Sequence, residues 1–445
     1  MARSNSTDFS ITGGDIVRDA LNLITERAAE VPATSNEIDD GLRALNRMVK
    51  AWQGQGLHLW KLDQGILFLD DAKASYNLGP QGDEAALLDD FIDTTLTVAG
   101  SVSDILLTVA STVGMTGAVD SFSNGGPFTN TTGWSVGNSG TVAVSGDNLE
   151  LTNGAATAGF TEFTVTTVVG ESYIMPISFV LGTATGATFT IREGATILDT
   201  VSFTATGTDE LEFTATQLTH TFRFANDSAG ITETSSLDSV QLLDTNSGDF
   251  IGIELDDNTR QWTHIVTVDS ATQVRIETAL TGAAAIANTV FTFSTLIDRP
   301  LRIHDTRRTR ISDTSEIDLN KWSQQQYFAQ TNKQSTGTPT NFYYDPKLDN
   351  GRIYIWQTAS SVNQLVKFTF ESPIQDFDVA TNNPDFPIEW SDALVWNLAA
   401  RIGHEYNTPL QKMQLIIARA TQLKDDMLGW DEELTSLNIQ PSRSR

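Results

Sequence analysis

Four adjacent acid pairs, five histidines and one short run of arginines are the residues of this chain that invite a chemical reading. The acids are Asp39-Asp40, Asp70-Asp71, Asp89-Asp90 and Asp256-Asp257. Glycoside cleavage needs two carboxylates, but they flank the bond across a cleft and are not chain neighbours. Adjacent acids in Gly- and Asn-rich stretches are mostly turn formers, and none of these has EF-hand spacing. His58, His220, His264, His304 and His404 stand apart, with no HExxH arrangement and no pairing at metal spacing. There is no P-loop and no G-x-S-x-G, and no nucleophile, base and orienting group can be assembled. Cys is absent, which excludes disulfides and thiolate metal sites. The chain therefore reads as a non-enzyme that needs no cofactor and no metal. Arg307, Arg308 and Arg310 form the densest basic cluster, either a solvated strand edge or a set of inter-subunit or DNA contacts. Phe128, Trp134 and Tyr173 could stack on the C–H faces of sugars, with core packing expected for two of the three.

The elements that must position these residues fall into an ordered pattern. Ile16, Ala20, Leu23, Ile24 and Ala28 make a helix-period stripe that predicts a helix over 15–30. Thr34 and Glu37 read as a capping box opening a second helix over 35–53, striped by Ile38, Leu42, Leu45, Val49 and Trp52. Residues 66–69 and 75–78 read as a strand pair. Near the other end, Trp390, Leu394, Leu398 and Ile402 predict a helix over 389–406. Thr408 as N-cap and Pro409 at the first helical position predict a last helix over 408–428. Between these ends the period is two. From 121 to 244 there are 13 acidic residues against Arg192 and Arg223 alone, and no Lys. Short strands separated by Gly, Asn and Ser predict a jelly-roll β-sandwich there.

These readings predict an α+β multidomain chain: a helical bundle built from both chain termini, a small β-domain in the middle, and a jelly-roll sandwich inserted into that. The expected divisions are 1–93, a discontinuous 94–118 plus 246–297, the insert at 119–245, 298–429, and a tail at 430–445. Composition bounds the partners. With 56 acidic and 28 basic residues the formal charge is -28, which repels nucleic acid at long range. Hydrophobic residues at 40% are too many for a disordered chain. No apolar stretch approaches a membrane span and no signal peptide is visible, so no membrane partner is expected.

Two resemblances add to this. The segment FSNGGPFTNTTGWSVGNSGTVAVSGDNLELTNG resembles the start of carbohydrate-binding-type jelly rolls. The flanks resemble the head-to-tail adaptor family of tailed phages, the short-tailed ones especially, also called head completion or packaged-DNA stabilisation proteins. The matching stretches are ALNLITERAAEVPATSNEIDDGLRALNRMVKAWQGQGLHLW and FLDDAKASYNLGP, then DRPLRIHDTRR, GTPTNFYYDP, GRIYIWQTAS and FTFESPIQDFDVATNNPDFPIEWSDALVWNLAARIGHEYNTP. They span 15–80 and 298–441, and no single one is diagnostic. The resemblance implies a virion protein of the head–tail neck, assembled in the host cytoplasm. It implies a homo-oligomeric ring, commonly of twelve copies, under the portal protein. That ring extends the DNA channel and receives the next tail component, a nozzle or hub. Tail fibres or capsid are further partners for the insert, and DNA passes without sequence-specific binding. On this reading Trp430, Leu434, Leu437 and Ile439 anchor a portal-docking tail, and Arg443 and Arg445 meet portal carboxylates or DNA. The alternative is an adhesin-like virion protein that binds glycans, with the jelly roll as its working module.

Overall fold

The computed structural model describes residues 9–25, 32–55, 59–154, 157–228, 230–310 and 315–430. The chain is dominated by strand, at 39% against 18% helix. This corrects the expected α+β chain with a helical bundle from both termini as its body. The helices are few and short: α1 (Gly13–Ile24), α2 (Ser35–Gln53), α3 (Gln324–Ala329), α4 (Ser391–Ile402) and α5 (Leu410–Trp430). Capping boxes open the first two. Asp15 N–H donates to Thr12 Oγ1 at 3.2 Å, and Thr34 N–H donates to the Glu37 carboxylate at 2.8 Å. Ile16 and Ala20 of α1, Leu45 and Trp52 of α2, Leu394 and Leu398 of α4, and Ile416 of α5 do share one buried core. That core is one layer beside the sheets, and the strands between the two ends make up the larger part of the regular structure.

Strands read at 66–69 and 75–78 are both present, but they do not pair with each other. Leu62–Phe68 lies between Gln364–Glu371 and Ala85–Leu87. Ser75–Leu78 is the edge of another sheet, beside Gly351–Trp356. The reason is burial. Ile66, Leu67 and Phe68 are all inaccessible and point to both faces of their sheet, so the strand needs neighbours on both edges and layers on both sides. Leu67, Phe368 and Ile353 pack into the core between these two sheets. A further six-stranded sheet runs Ile92–Thr95, Thr289–Phe293, Phe250–Glu254, Arg260–Ser270, Gln273–Ile276 and Leu106–Thr108.

Residues 135–244 form two antiparallel sheets that face each other as a jelly-roll-type sandwich. The first runs Gly207–Thr214, Ser172–Leu181, Thr234–Val240, Asn148–Thr152 and Thr141–Ser145, with Leu243–Asp244 against the start of Ser172–Leu181. The second runs Thr196–Phe203, Ala187–Glu193, Thr219–Asn226, Phe160–Thr166 and Ser135–Gly137. Alternation decides what fills the interior. Along Thr219–Asn226, His220, Phe222 and Phe224 point inward while Thr219, Thr221 and Arg223 point out. Phe189 stacks on Phe224 with ring centres 4.7 Å apart, and Phe179 meets both edge-on.

His220 is a buried titratable group of this interior. Thr167 Oγ1 donates to the Gln217 carbonyl, so His220 Nδ1–H donates to Thr167 Oγ1 at 3.1 Å. Nε2 is left with an unshared lone pair and no partner. Burial pushes the imidazole below its ordinary value, only weakly opposed by Glu193. A lowered histidine contributes nothing above its unfolded pKa of about 6.5 and costs stability as pH falls from there toward the folded value. Sandwich stability, followed by urea midpoint, is therefore expected to drop between pH 7.5 and pH 5, and to drop less in His220→Gln. Identical pH dependence in the two proteins would remove His220 as the cause.

Candidate functional site

The residues singled out by type are mostly taken up by structure. Phe128, Trp134 and Tyr173 are 0%, 8% and 4% exposed. Trp134 packs on Phe163 and Phe128, and Tyr173 stacks on Phe213 while its hydroxyl accepts from Val168 N–H at 2.9 Å. None presents a ring face to solvent, which corrects their reading as glycan-facing aromatics. The physical reason is volume: strands so rich in Thr, Ser and Gly need their aromatics to fill the space between the sheets. Arg307 donates to Glu316 at 3.0 Å, and Glu316 also takes Lys367, whose ammonium and then Arg307 hold its carboxyl below the ordinary range. Arg308 is half-buried and Arg310 exposed on the same strand, Arg302–Arg310. Trp430 is the last residue of α5, and Leu434, Leu437, Ile439, Arg443 and Arg445 lie outside the described residues.

Three of the acid pairs hold turns or loops. Asp90 accepts from Ser294 and Thr295, Asp256 from Ala285 N–H and Asn288, and Asp257 from Thr259. Lys73 bridges Asp70 and Asp83 at 2.9 and 2.7 Å. Asp39 and Asp40 ride on α2. Among the described residues no group of three acid or histidine side chains is placed to hold a metal ion, and no helix is long and apolar enough to cross a membrane.

What the fold does bring together is the outer face of the second sandwich sheet. The first sheet's outer side is covered at one end, where Ile174 and Leu243 pack with Val266 and Arg275 forms an ion pair with Glu210. On the second sheet Thr164, Thr166 and Thr219 are exposed, and Thr188 and Thr221 half-buried, so this face is open. Its rows follow from register. Glu162 faces Arg223, which faces Thr190; Thr164 faces Thr221, which faces Arg192; Phe160 faces Ala225, which faces Thr188. The two cations of the sandwich thus stand on neighbouring strands, one diagonal step apart.

Arg223 is held from two sides. Its guanidinium pairs with the Glu162 carboxylate and lies 4.0 Å above the centre of the Phe160 ring. Phe160 in turn lies on the backbone of Gly137, where a Cβ would come within 2.1 Å of the ring. Arg192 donates through Nε to Thr190 Oγ1 at 2.9 Å and has no carboxylate partner among the described residues. Burial, and then the like charge of Arg223, push its guanidinium below the ordinary arginine value, with Glu162 opposing. A face with hydroxyls at regular spacing, two guanidiniums and the carboxylates of Glu162 and Asp227 can exchange paired hydrogen bonds with a polyhydroxylated ligand. The sequence did mark Arg192 and Arg223 as the sandwich's only bases, but nothing local says they meet, and Phe160 and Glu162 carried no signal.

No family model matches the chain, and no curated protein does; the connector resemblance gains nothing from either. Solved structures similar to part of it include a family 16 carbohydrate-binding module, at 16% identity and TM-score 0.23, covering 28% of this chain and 99% of that one. A family 4 module is similar at 11% identity and TM-score 0.23, over 28% and 96%. The enzymatically active domain of tailspike protein 4 from bacteriophage CBA120 is similar at 17% identity and TM-score 0.22, over 28% of this chain and 21% of its own.

Because Gly137 leaves room for Phe160 and Phe160 carries Arg223, Gly137→Ala is expected to push the ring aside and cost about 1–3 kcal/mol of sandwich stability. In a Phe160→Ala background the same change is expected to cost almost nothing. Additive losses in thermal unfolding of the double mutant would show that Gly137 and Phe160 are not coupled.

Proposed function

We propose that the protein is a non-enzymatic glycan-binding protein whose β-sandwich is the working module. The observation that carries this reading is the open outer face of the second sheet, where Arg223, Glu162 and a field of threonine hydroxyls stand at sheet spacing. Arg223 is fixed by Glu162 and Phe160 before any ligand arrives, so little side-chain entropy remains to be lost on binding. Its fork suits vicinal sugar hydroxyls, and the hydroxyls of Thr164 and Thr221 add donors and acceptors beside it. The full-length chain is expected to bind a subset of a printed glycan array, and Arg223→Ala is expected to weaken that binding at least ~10-fold, the loss of about 1.4 kcal/mol. Binding that survives Arg223→Ala unchanged would place the site elsewhere, and an empty array would end the reading.

One set of contacts favours a second reading, in which the rest of the chain is an assembly part. The two flanks close on each other: Leu62–Phe68 pairs with Gln364–Glu371, and Gly13 and Gly14 N–H donate to the carbonyls of Asn382 and Ala380. The sandwich is then cargo on an element whose own role is anchorage. With the resemblance of the flanks, this supports a neck component of a phage virion, a ring under the portal that bridges to the tail and lets DNA pass. Purified chain mixed with portal is expected to give ring density stacked on the portal in electron micrographs. Free monomers beside bare portals would sink this reading without touching the first.

A further inference from the structure

We propose that the outer face of the second sandwich sheet takes an acidic glycan, a mostly neutral polyol carrying spaced carboxylates of the uronate kind, and that Arg192 receives the carboxylate. This rests on the glycan-binding reading and narrows it to a ligand class. The two arginines of the face are not equivalent. Arg223 has its counter-charge in Glu162 and its stacking partner in Phe160. Arg192 has only the Thr190 hydroxyl on its Nε, which leaves the fork of its terminal nitrogens without an acceptor among the described residues. A guanidinium does not discharge itself by losing a proton. Glu162 is committed to Arg223 and Asp227 to Thr188, so the positive charge of Arg192 has no ion-pair partner among the described residues, and Arg223 beside it adds to its cost. An incoming carboxylate removes that imbalance by a two-pronged, charge-assisted hydrogen bond, the strongest polar contact this face can make.

The surroundings set the kind of acid. Residues 121–244 carry 13 acidic side chains against these two bases, and the whole chain stands at -28. A densely sulfated or phosphorylated polymer is repelled by such a field. At physiological ionic strength the field is screened beyond ~8 Å, so an isolated carboxylate on an otherwise neutral chain reaches Arg192 without much penalty. The hydroxyls of Thr164 and Thr221, in register with Arg192, then meet the neighbouring sugar units. The rows run across strands ~4.8 Å apart, which keeps all these groups within a short stretch of saccharide.

The test uses the full-length chain and matched probes: oligogalacturonate, oligomannuronate and hyaluronan fragments, each with its carboxyl-methyl-esterified twin, and heparin fragments as the dense polyanion. At least one acid is expected to bind ten-fold or more tightly than its ester, and heparin weakly or not at all. Arg192→Gln is expected to bring the acid down to the level of its ester, so that the acid-over-ester preference disappears, while Arg192→Lys restores part of the gap. Unchanged thermal unfolding of both variants confirms that the sandwich is intact. Acid and ester bound equally, or a preference that survives Arg192→Gln, overturns the proposal and leaves the glycan reading standing. Tightest binding to heparin also overturns it. No binding to any acid or ester, while other neutral glycans on the array bind, overturns it too. An array with no binding at all removes the broader reading and this one with it.

Discussion

The antiparallel pairing of Leu62–Phe68 with Gln364–Glu371 is the contact on which the rest of the chain depends. It joins residues separated by most of the sequence and makes everything between them an excursion that must leave and return. Loop-closure entropy grows only with the logarithm of length, about 0.6 kcal/mol for each doubling. A long excursion is therefore affordable once the pairing is secured by Ile66, Leu67, Val366 and Phe368, all at 1% exposure or less. The same logic recurs one level in. Asp120 bridges to Leu243 and Ser121 N–H donates to the Leu242 carbonyl, so the sandwich begins and ends at one point. A unit with adjacent ends can be carried without forcing its host apart.

This arrangement also decides which side of the sandwich is available. The first sheet turns one end of its outer side toward the six-stranded sheet, through Ile174, Leu243 and Val266 and through the Arg275–Glu210 ion pair. The second sheet keeps its outer face. The interior is paid in aromatic volume, from Phe179, Phe189, Phe203, Phe222 and Phe224, so the large rings are not free for a ligand. Recognition on the open face must then come from guanidinium, carboxylate and hydroxyl groups, and it is there that Arg192, Arg223 and Glu162 stand.

Much of the local structure was legible. The second helix runs 35–53 as its stripe and capping box demand, because Thr34 and Glu37 satisfy first-turn amides wherever the helix packs. The strands of the sandwich sit close to where alternation places them, since Phe222 and Phe224 must face away from Thr221 and Arg223 on any two-sided sheet. Other readings failed for reasons outside any window. Residues 66–69 and 75–78 look like a hairpin, yet the first is buried on both faces, the second is an alternating edge strand, and each pairs with a distant partner. Strong helical stripes at the two ends suggested a helical body, but stripe strength says nothing about how much sheet the remaining chain builds.

The candidate site shows the same division in its sharpest form. The sequence by itself determined that a two-sided β unit would hold only two bases and that its aromatics would recur at strand period. Tertiary structure alone decided that Arg192 and Arg223 share a face, that Phe160 and Glu162 hold one and not the other, and that Phe128, Trp134 and Tyr173 are spent inside. The reason is register. Period-two alternation assigns a residue to a face, but which residues on different strands become neighbours is set by pairings that only the closed sandwich defines.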